Sequence, residues 1–217
     1  MSHVFPRWSN AIPLQIILYF FLLGAIVTAG VTYYFTPKYL RVGYAPVQPV
    51  PYDHSLHVGQ LGLDCRYCHS NVDRSGFANL PTAQTCMNCH KLINPESPLL
   101  AVVRASYENG EPVPWVQVHK IPDYVYFNHA AHVSRGVGCV ECHGKVNEMP
   151  VVYQAKSLSM KFCLTCHRNP VQFLRAPADV FKPDSQTLVA QGRAAEAARF
   201  VHDWKIRPPE SCSGCHR

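Results

Sequence analysis

The sequence predicts a mostly irregular chain with short helices packed around five bound groups, plus one N-terminal transmembrane helix. Three observations predict it. The motif Cys-x-x-Cys-His occurs five times and uses all 10 cysteines. A run of 24 residues, 12–35, carries no charged side chain. Proline supplies 18 of 217 residues, well above the usual share of about 5%, so long regular elements are not expected outside the apolar run.

The motifs carry the chemistry. They are Cys65-x-x-Cys68-His69, Cys86-x-x-Cys89-His90, Cys139-x-x-Cys142-His143, Cys163-x-x-Cys166-His167 and Cys212-x-x-Cys215-His216. Two thiols two residues apart, followed directly by histidine, form the attachment signature of c-type haem. The thiols add to the two vinyl groups, and the histidine becomes the proximal iron ligand. Cys-x-x-Cys pairs also build Cys₄ zinc sites. Five pairs do not divide into Cys₄ sites, however, and all five are followed by one of only 12 histidines. The fold class is therefore a multihaem cytochrome c with five covalently bound haem c groups. No cysteine remains for a disulfide or a thiolate nucleophile.

Charge excludes one class of partner. The formal net charge is +6, which alone would suggest nucleic acid or an acidic surface. Each haem brings two propionates, natural partners for Arg and Lys. No basic run with interleaved aromatics is present, so nucleic acid is not an expected partner.

In chain order, residues 1–11 form a short cytoplasmic tail containing His3 and Arg7. Residues 12–35 form the transmembrane anchor, about 36 Å long at 1.5 Å per residue, enough to cross a hydrocarbon core of about 30 Å. Tyr33, Tyr34 and Tyr39 suit an aromatic belt at the far interface. A cleaved signal peptide ending near Ala29 is the rival reading; the apolar run continues beyond that site to Phe35, which favours a retained anchor. Lys38 and Arg41 follow the helix and do not fix its orientation. Haem attachment does: it takes place on the outer side of the energy-coupling membrane. The chain is thus expected to be single-pass in the bacterial inner membrane, contacting lipid there, with its haem domain periplasmic.

Residues 36–51, with Pro46 and Pro49, read as a linker. Residues 52–217 read as the periplasmic pentahaem domain. It contains an internal repeat of two two-haem units, 52–90 and 127–167, with a fifth haem in 188–217. Each unit opens on aromatic-x-His-x-x-His-Val: Tyr52, His54 and His57 in one, Phe127, His129 and His132 in the other. The second His precedes its cysteine by 8 residues in the first copy and 7 in the second. Between the units, 99–108 reads as a short helix and 115–119 as a short strand or extended segment. Residues 188–204 read as the best soluble helix, ended by Pro208 and Pro209.

Five irons need ligands opposite their proximal histidines His69, His90, His143, His167 and His216. The two imidazoles of a His-x-x-His pair cannot both bind the same face of one iron, so His54, His57, His129 and His132 are expected to serve neighbouring irons. Met160 and His119 compete for the remaining position. His202, Met87 and Met149 are weaker candidates; the two methionines suit core packing better.

The paired histidines ahead of Cys-x-x-Cys-His resemble the cytochrome c3/c7 class. The fuller pattern is similar to the pentahaem cytochrome c subunit of bacterial alternative complex III. The matching features are the single N-terminal anchor, Cys-Met-Asn-Cys-His at 86–90, the stretch from Trp115 through His119 to His129, Ser-Met160-Lys-Phe-Cys163 and the terminal Cys-His-Arg. The resemblance implies an electron-transfer subunit, not itself an enzyme, of a quinol:electron-acceptor oxidoreductase. Its implied partners are an iron–sulfur subunit, an integral membrane quinol-binding subunit and a monohaem cytochrome c. A stand-alone membrane-anchored quinol dehydrogenase and a multihaem reductase with one open iron are the alternatives. The surplus of distal ligand candidates argues against an open iron.

Overall fold

The computed structural model describes residues 6–35 and 41–217. His3, Lys38 and Tyr39 lie outside the described residues, as do the first five residues of the expected tail and 36–40 of the expected linker. The chain separates into two units, one ending at Arg41 and the other Val42–Arg217.

In the first unit a 3₁₀ turn, Arg7–Ala11, leads into helix α1, Ile12–Phe35. Ser9 starts the turn, its N–H and hydroxyl both donating to the Pro6 carbonyl at 3.0 and 2.7 Å. Pro13 sits in the first turn of α1, where its missing N–H costs nothing. The side chains of α1 are exposed on every face, Phe20, Phe21 and Leu22 among them. A helix satisfies its own backbone hydrogen bonds, so such a surface suits hydrocarbon as solvent. The helix is long and apolar enough to cross a membrane.

The second unit holds eight short helices: α2 Cys65–Cys68, α3 Ala83–His90, α4 Ala101–Asn109, α5 His129–Val133, α6 Val140–His143, α7 Met160–Arg168, α8 Ala194–Asp203 and α9 Cys212–Cys215. No strand is found among the described residues, only the isolated bridges Val125–His216 and Val137–Leu174. Small polar residues precede the motif helices. Asp64 accepts the Arg66 N–H at 2.8 Å, and Ser159 accepts the Phe162 N–H at 3.3 Å. Such caps satisfy amide groups that a one- or two-turn helix would otherwise leave unpaired.

The apolar core is divided. Val50, Ala83, Met87, Val103 and Val113 form one buried cluster between α3 and α4; Val72, Val133 and Val180 form another. Leu174 and Leu188 are fully buried, joined by the Leu188 N–H donating to the Leu174 carbonyl at 2.8 Å. Burying each contributes about 1.5–3 kcal/mol.

Three expectations change in detail. The helix expected over 188–204 begins only at Ala194, because Gly192 takes a left-handed φ of +75° and the Arg193 N–H turns back to the Leu188 carbonyl. Residues 115–119 form no strand; the Gln48 side-chain amide pairs with both backbone groups of Val116, at 2.8 and 2.9 Å, as a neighbouring strand would. The proline-rich stretch from 42 to 51, within the expected linker, belongs to the second unit. Gly43 and Tyr44 exchange backbone bonds with Gln154, and Val50 enters the core.

Candidate haem-binding site

Each Cys-x-x-Cys segment occupies one helical turn, so its thiols, three positions apart, project to one side. The histidine closes the turn: His69, His143 and His216 donate their N–H to the carbonyls of Cys65, Cys139 and Cys212 at 2.9, 3.0 and 2.8 Å.

The imidazoles share a second feature. Nδ1 of His69, His90 and His167 faces the carbonyls of Asn79, Ile93 and Pro209 at 2.7–2.9 Å. Nδ1 of His57, His129 and His132 likewise faces the carbonyls of Asp53, Gly76 and Asn128 at 2.8–2.9 Å. A carbonyl only accepts, so Nδ1 carries the proton. Nε2 keeps its lone pair, the arrangement a metal-binding histidine requires. His119 follows the same pattern: it hydrogen-bonds the Tyr153 backbone, and its buried Nε2 has no partner.

The repeat seen in the sequence is a repeat in space. Tyr52 meets His54 at 4.7 Å and 84°, and Phe127 meets His129 at 4.8 Å and 85°. Tyr52 stacks on His57 at 4.4 Å and 24°, and Phe127 on His132 at 4.8 Å and 26°. Asp53 and Asn128 cap the two turns alike, accepting from Leu56 and Ala131 at 3.1 Å. The extra residue of the first copy is absorbed in a π turn, Ser55–Gln60. The carbonyl of His57 accepts from Leu63, six residues on, where that of His132 accepts from Val137, five on.

The pairs face proximal histidines. Ring centres are 6.2 Å apart for His57–His90, 6.1 Å for His132–His167 and 6.4 Å for His129–His143, the last with planes 9° from parallel. Two imidazoles bound on opposite sides of one metal ion, each through a bond of about 2 Å, hold their ring centres about 6 Å apart. His143 lies at the middle of a larger group. His119 is 4.3 Å from it, and His54, His69 and His129 also act on it electrostatically. Burial, then these neighbours, holds His143 down to about 3; burial takes His54 to about 4 and lowers His119 and His132. All four rings are therefore neutral near pH 7.

Burial also raises the thiols, Cys142 to about 12 and Cys166 to about 11. Cys139 is raised by its hydrogen bond with Cys65, then by burial. Contacts between motifs follow a single series. Asn88 of the second motif donates to the Tyr67 hydroxyl of the first at 3.1 Å. Cys65 of the first shares a thiol hydrogen bond with Cys139 of the third. Cys142 of the third senses Cys166 and Cys163 of the fourth, and Cys163 senses Cys215 of the fifth. In space the order is second, first, third, fourth, fifth.

Beside α6 a cleft of about 560 Å³ is lined by Val140, Gly144, Met149, Tyr153, Lys145 and Lys156 among others. Its size is within the range of cofactor sites; Lys145 on its rim is paired with Glu148 at 2.7 Å, which leaves Lys156 to suit an anionic group. Thiol pairs on one turn, neutral imidazoles with free Nε2, ring centres about 6 Å apart and this cleft all fit haem c.

The remaining candidates differ. Met160 opens α7 and is 68% exposed. His202 is exposed and paired with Asp203 at 2.9 Å. Met87 is buried in the apolar cluster between α3 and α4, and Met149 is buried at the wall of the cleft beside α6. His216 has Tyr124 as its ring neighbour, at 5.7 Å. Sequence reasoning missed Arg175, a buried guanidinium bonded to Glu141 within the third motif at 2.7 Å. A Gly-x-Gly step just before that motif, Gly136 and Gly138, was the available clue.

Comparison with known proteins agrees with this geometry. Residues 125–217 match the family of cytochrome c7 and related cytochrome c. Over 97 residues, 44% of this chain, the sequence is 37% identical to the menaquinone reductase multihaem cytochrome c subunit of Nitratidesulfovibrio vulgaris. The match spans 45% of that relative's length, less than half of it.

Proposed function

We propose that the chain, which over part of its length is similar to cytochrome c7 and to a menaquinone reductase multihaem cytochrome c subunit, is a multihaem cytochrome c and the electron-conducting subunit of a membrane quinol-oxidising complex. One observation carries this reading: hydrogen bonds and electrostatic interactions link the attachment motifs in the order second, first, third, fourth, fifth. Haem, when bound, supplies a one-electron iron couple.

The chain's own residues do the rest. Ten cysteines fix five groups covalently, so position does not depend on ligation alone. His57 and His132 are held opposite His90 and His167, and His54, His119 and His129 converge on the space around His69 and His143. Backbone carbonyls orient the rings of His57, His69, His90, His129, His132 and His167, so these ligands need not rearrange when the charge on iron changes. Met160, which lies three residues before Cys163 and is exposed, is the proposed ligand opposite His216. The anchor α1 keeps the domain at the periplasmic face of the inner membrane.

The finer reading is the pentahaem subunit of an alternative complex III-type assembly. Electrons would enter from an iron–sulfur subunit supplied by an integral membrane quinol-binding subunit and leave to a monohaem cytochrome c. The test is purification of the chain from native membranes in mild detergent, with its partners identified and quinol-dependent haem reduction measured. Reduction only in the presence of the co-purifying subunits is expected. Quinol oxidation by the isolated chain would overturn the reading in favour of a stand-alone dehydrogenase.

A further inference from the structure

Arg175 is a buried charge with no role in attachment or ligation. Its side chain is 4% exposed, and that of Glu141, its partner, is 25% exposed. Glu141 lies between the two cysteines of the third motif. Arg175 Nη1 donates to Glu141 Oε1 at 2.7 Å, Nε donates to the Ser185 hydroxyl at 3.1 Å, and Nη2 donates to the Ser185 carbonyl at 3.3 Å. The Ser185 hydroxyl in turn donates toward the Asp179 and Lys182 carbonyls at 2.8 Å.

The backbone around the motif is shaped to this side chain. The Arg175 N–H donates to the Gly136 carbonyl at 2.8 Å, beside the Val137–Leu174 bridge. A Cβ on Gly138 would lie 2.6 Å from Nη1 and 2.8 Å from Cζ of Arg175. A Cβ on Gly136, at φ +87°, would meet the Arg175 carbonyl at 2.9 Å. Only glycine lets the chain run against a guanidinium this closely before turning into the attachment site.

We propose that Arg175 and Glu141 form a charge-compensated clamp on the third attachment site, which fixes its turn and sets the redox potential of the haem held there. This deepens the electron-transfer reading and rests on it. Arg175 is a positioning residue: it acts through Glu141 and the Gly138–Cys139 backbone. Guanidinium does not lose its proton in proteins, so the pair stays neutral overall. Glu141 lies between Cys139 and Cys142, so removing one partner of the buried pair leaves a lone charge within the third site. An added negative charge favours Fe(III), and an added positive charge favours Fe(II).

The test is a double-substitution cycle on the full-length haem-bearing protein, read by spectroelectrochemical titration and by mass spectrometry of the peptide containing 139–143. Glu141→Gln is nearly isosteric and should raise one or two of the titration steps. Arg175→Gln should lower the same steps. The double variant should return them toward the parent values, and Arg175→Lys should keep the potentials while lowering haem incorporation. Shifts of the same sign in both single variants, or none, would overturn the clamp. If Arg175→Gln fails to fold, the sign of the Glu141→Gln shift decides alone. A parent peptide without haem mass would overturn the underlying reading instead, since the clamp would then have no group to act on.

Discussion

His132 faces His167 with ring centres 6.1 Å apart and planes 28° from parallel. Phe127 stacks on one side of His132, and the Asn128 carbonyl holds its Nδ1. Replacing it removes the imidazole that faces His167 and the packing beneath Phe127. His132→Ala should convert one low-spin ferric haem to high spin, detectable by electron paramagnetic resonance. It should also cost about 1–3 kcal/mol of stability. His57→Ala should do the same for the haem at His90, because the first copy repeats the geometry. Unchanged spectra in both variants would refute the pairing.

Met160 and His119 should separate cleanly. Thioether is a poorer donor than imidazole to Fe(III), so a Met-ligated haem titrates higher. Met160→His should lower one step by on the order of 0.1 V, within the span of about 0.8 V that axial ligands command. His119→Gln should instead disturb the signals of the haems at His69 and His143, because His119 packs 4.3 Å from the His143 ring. If Met160→Ala leaves every potential unchanged while His119→Ala creates a high-spin iron, the fifth haem does not depend on Met160.

The spatial series predicts which attachment sites are dispensable for conduction. Cys86→Ala with Cys89→Ala removes a terminal site and should leave electron transfer among the other four intact. Cys139→Ala with Cys142→Ala removes the site between the first and fourth motifs. It should slow equilibration between the two ends by orders of magnitude in rapid-mixing experiments. Equal effects of the two double variants would mean a branched rather than linear arrangement.

Acid should destabilise the fold through its buried imidazoles. His143 is held down to about 3 and His54 to about 4, both by burial, whereas an unfolded histidine titrates near 6.5. The unfolded chain therefore takes up protons first. Their contribution is present above about pH 6.5 and lost as pH falls through 4 toward 3, at up to about 1.4 kcal/mol per pH unit for each proton. Protonation also competes with metal ligation. Melting temperature should fall steadily between pH 6.5 and 4 in protein lacking haem; a flat profile over that interval would contradict the prediction.

Much of the candidate site was legible in the sequence. The five motifs and the two His-x-x-His pairs are local patterns, and the one-residue difference between the repeats is visible by counting. The widened turn that absorbs it is not, because π and α turns have no distinct sequence signal. The carbonyls that orient the rings were also hidden: Gly76 serves His129 and Pro209 serves His167 across 53 and 42 residues. Any residue supplies a carbonyl, so residue identity cannot mark these partners. The packing order of the motifs was hidden for a related reason. The first motif touches the third because the loop after it supplies Gly76 to the second pair, a tertiary relation without local periodicity. The apolar helix was read from composition, whereas the late start of α8 depended on a single glycine at positive φ.

The bond from His167 to the Pro209 carbonyl has a consequence for biogenesis. Residues 209–217 do more than carry the fifth attachment site. Pro209 orients the fourth proximal histidine, the Cys215 carbonyl accepts from the Tyr126 N–H, and Arg217 bonds the carbonyls of Asp123 and Tyr124, just upstream of the second pair. Synthesis runs from the N-terminus, so these latches form only after the fourth motif and the second pair have been made. The fourth site and the segment entering the second repeat should stay open to the attachment machinery until residues 209–217 arrive, and then close together.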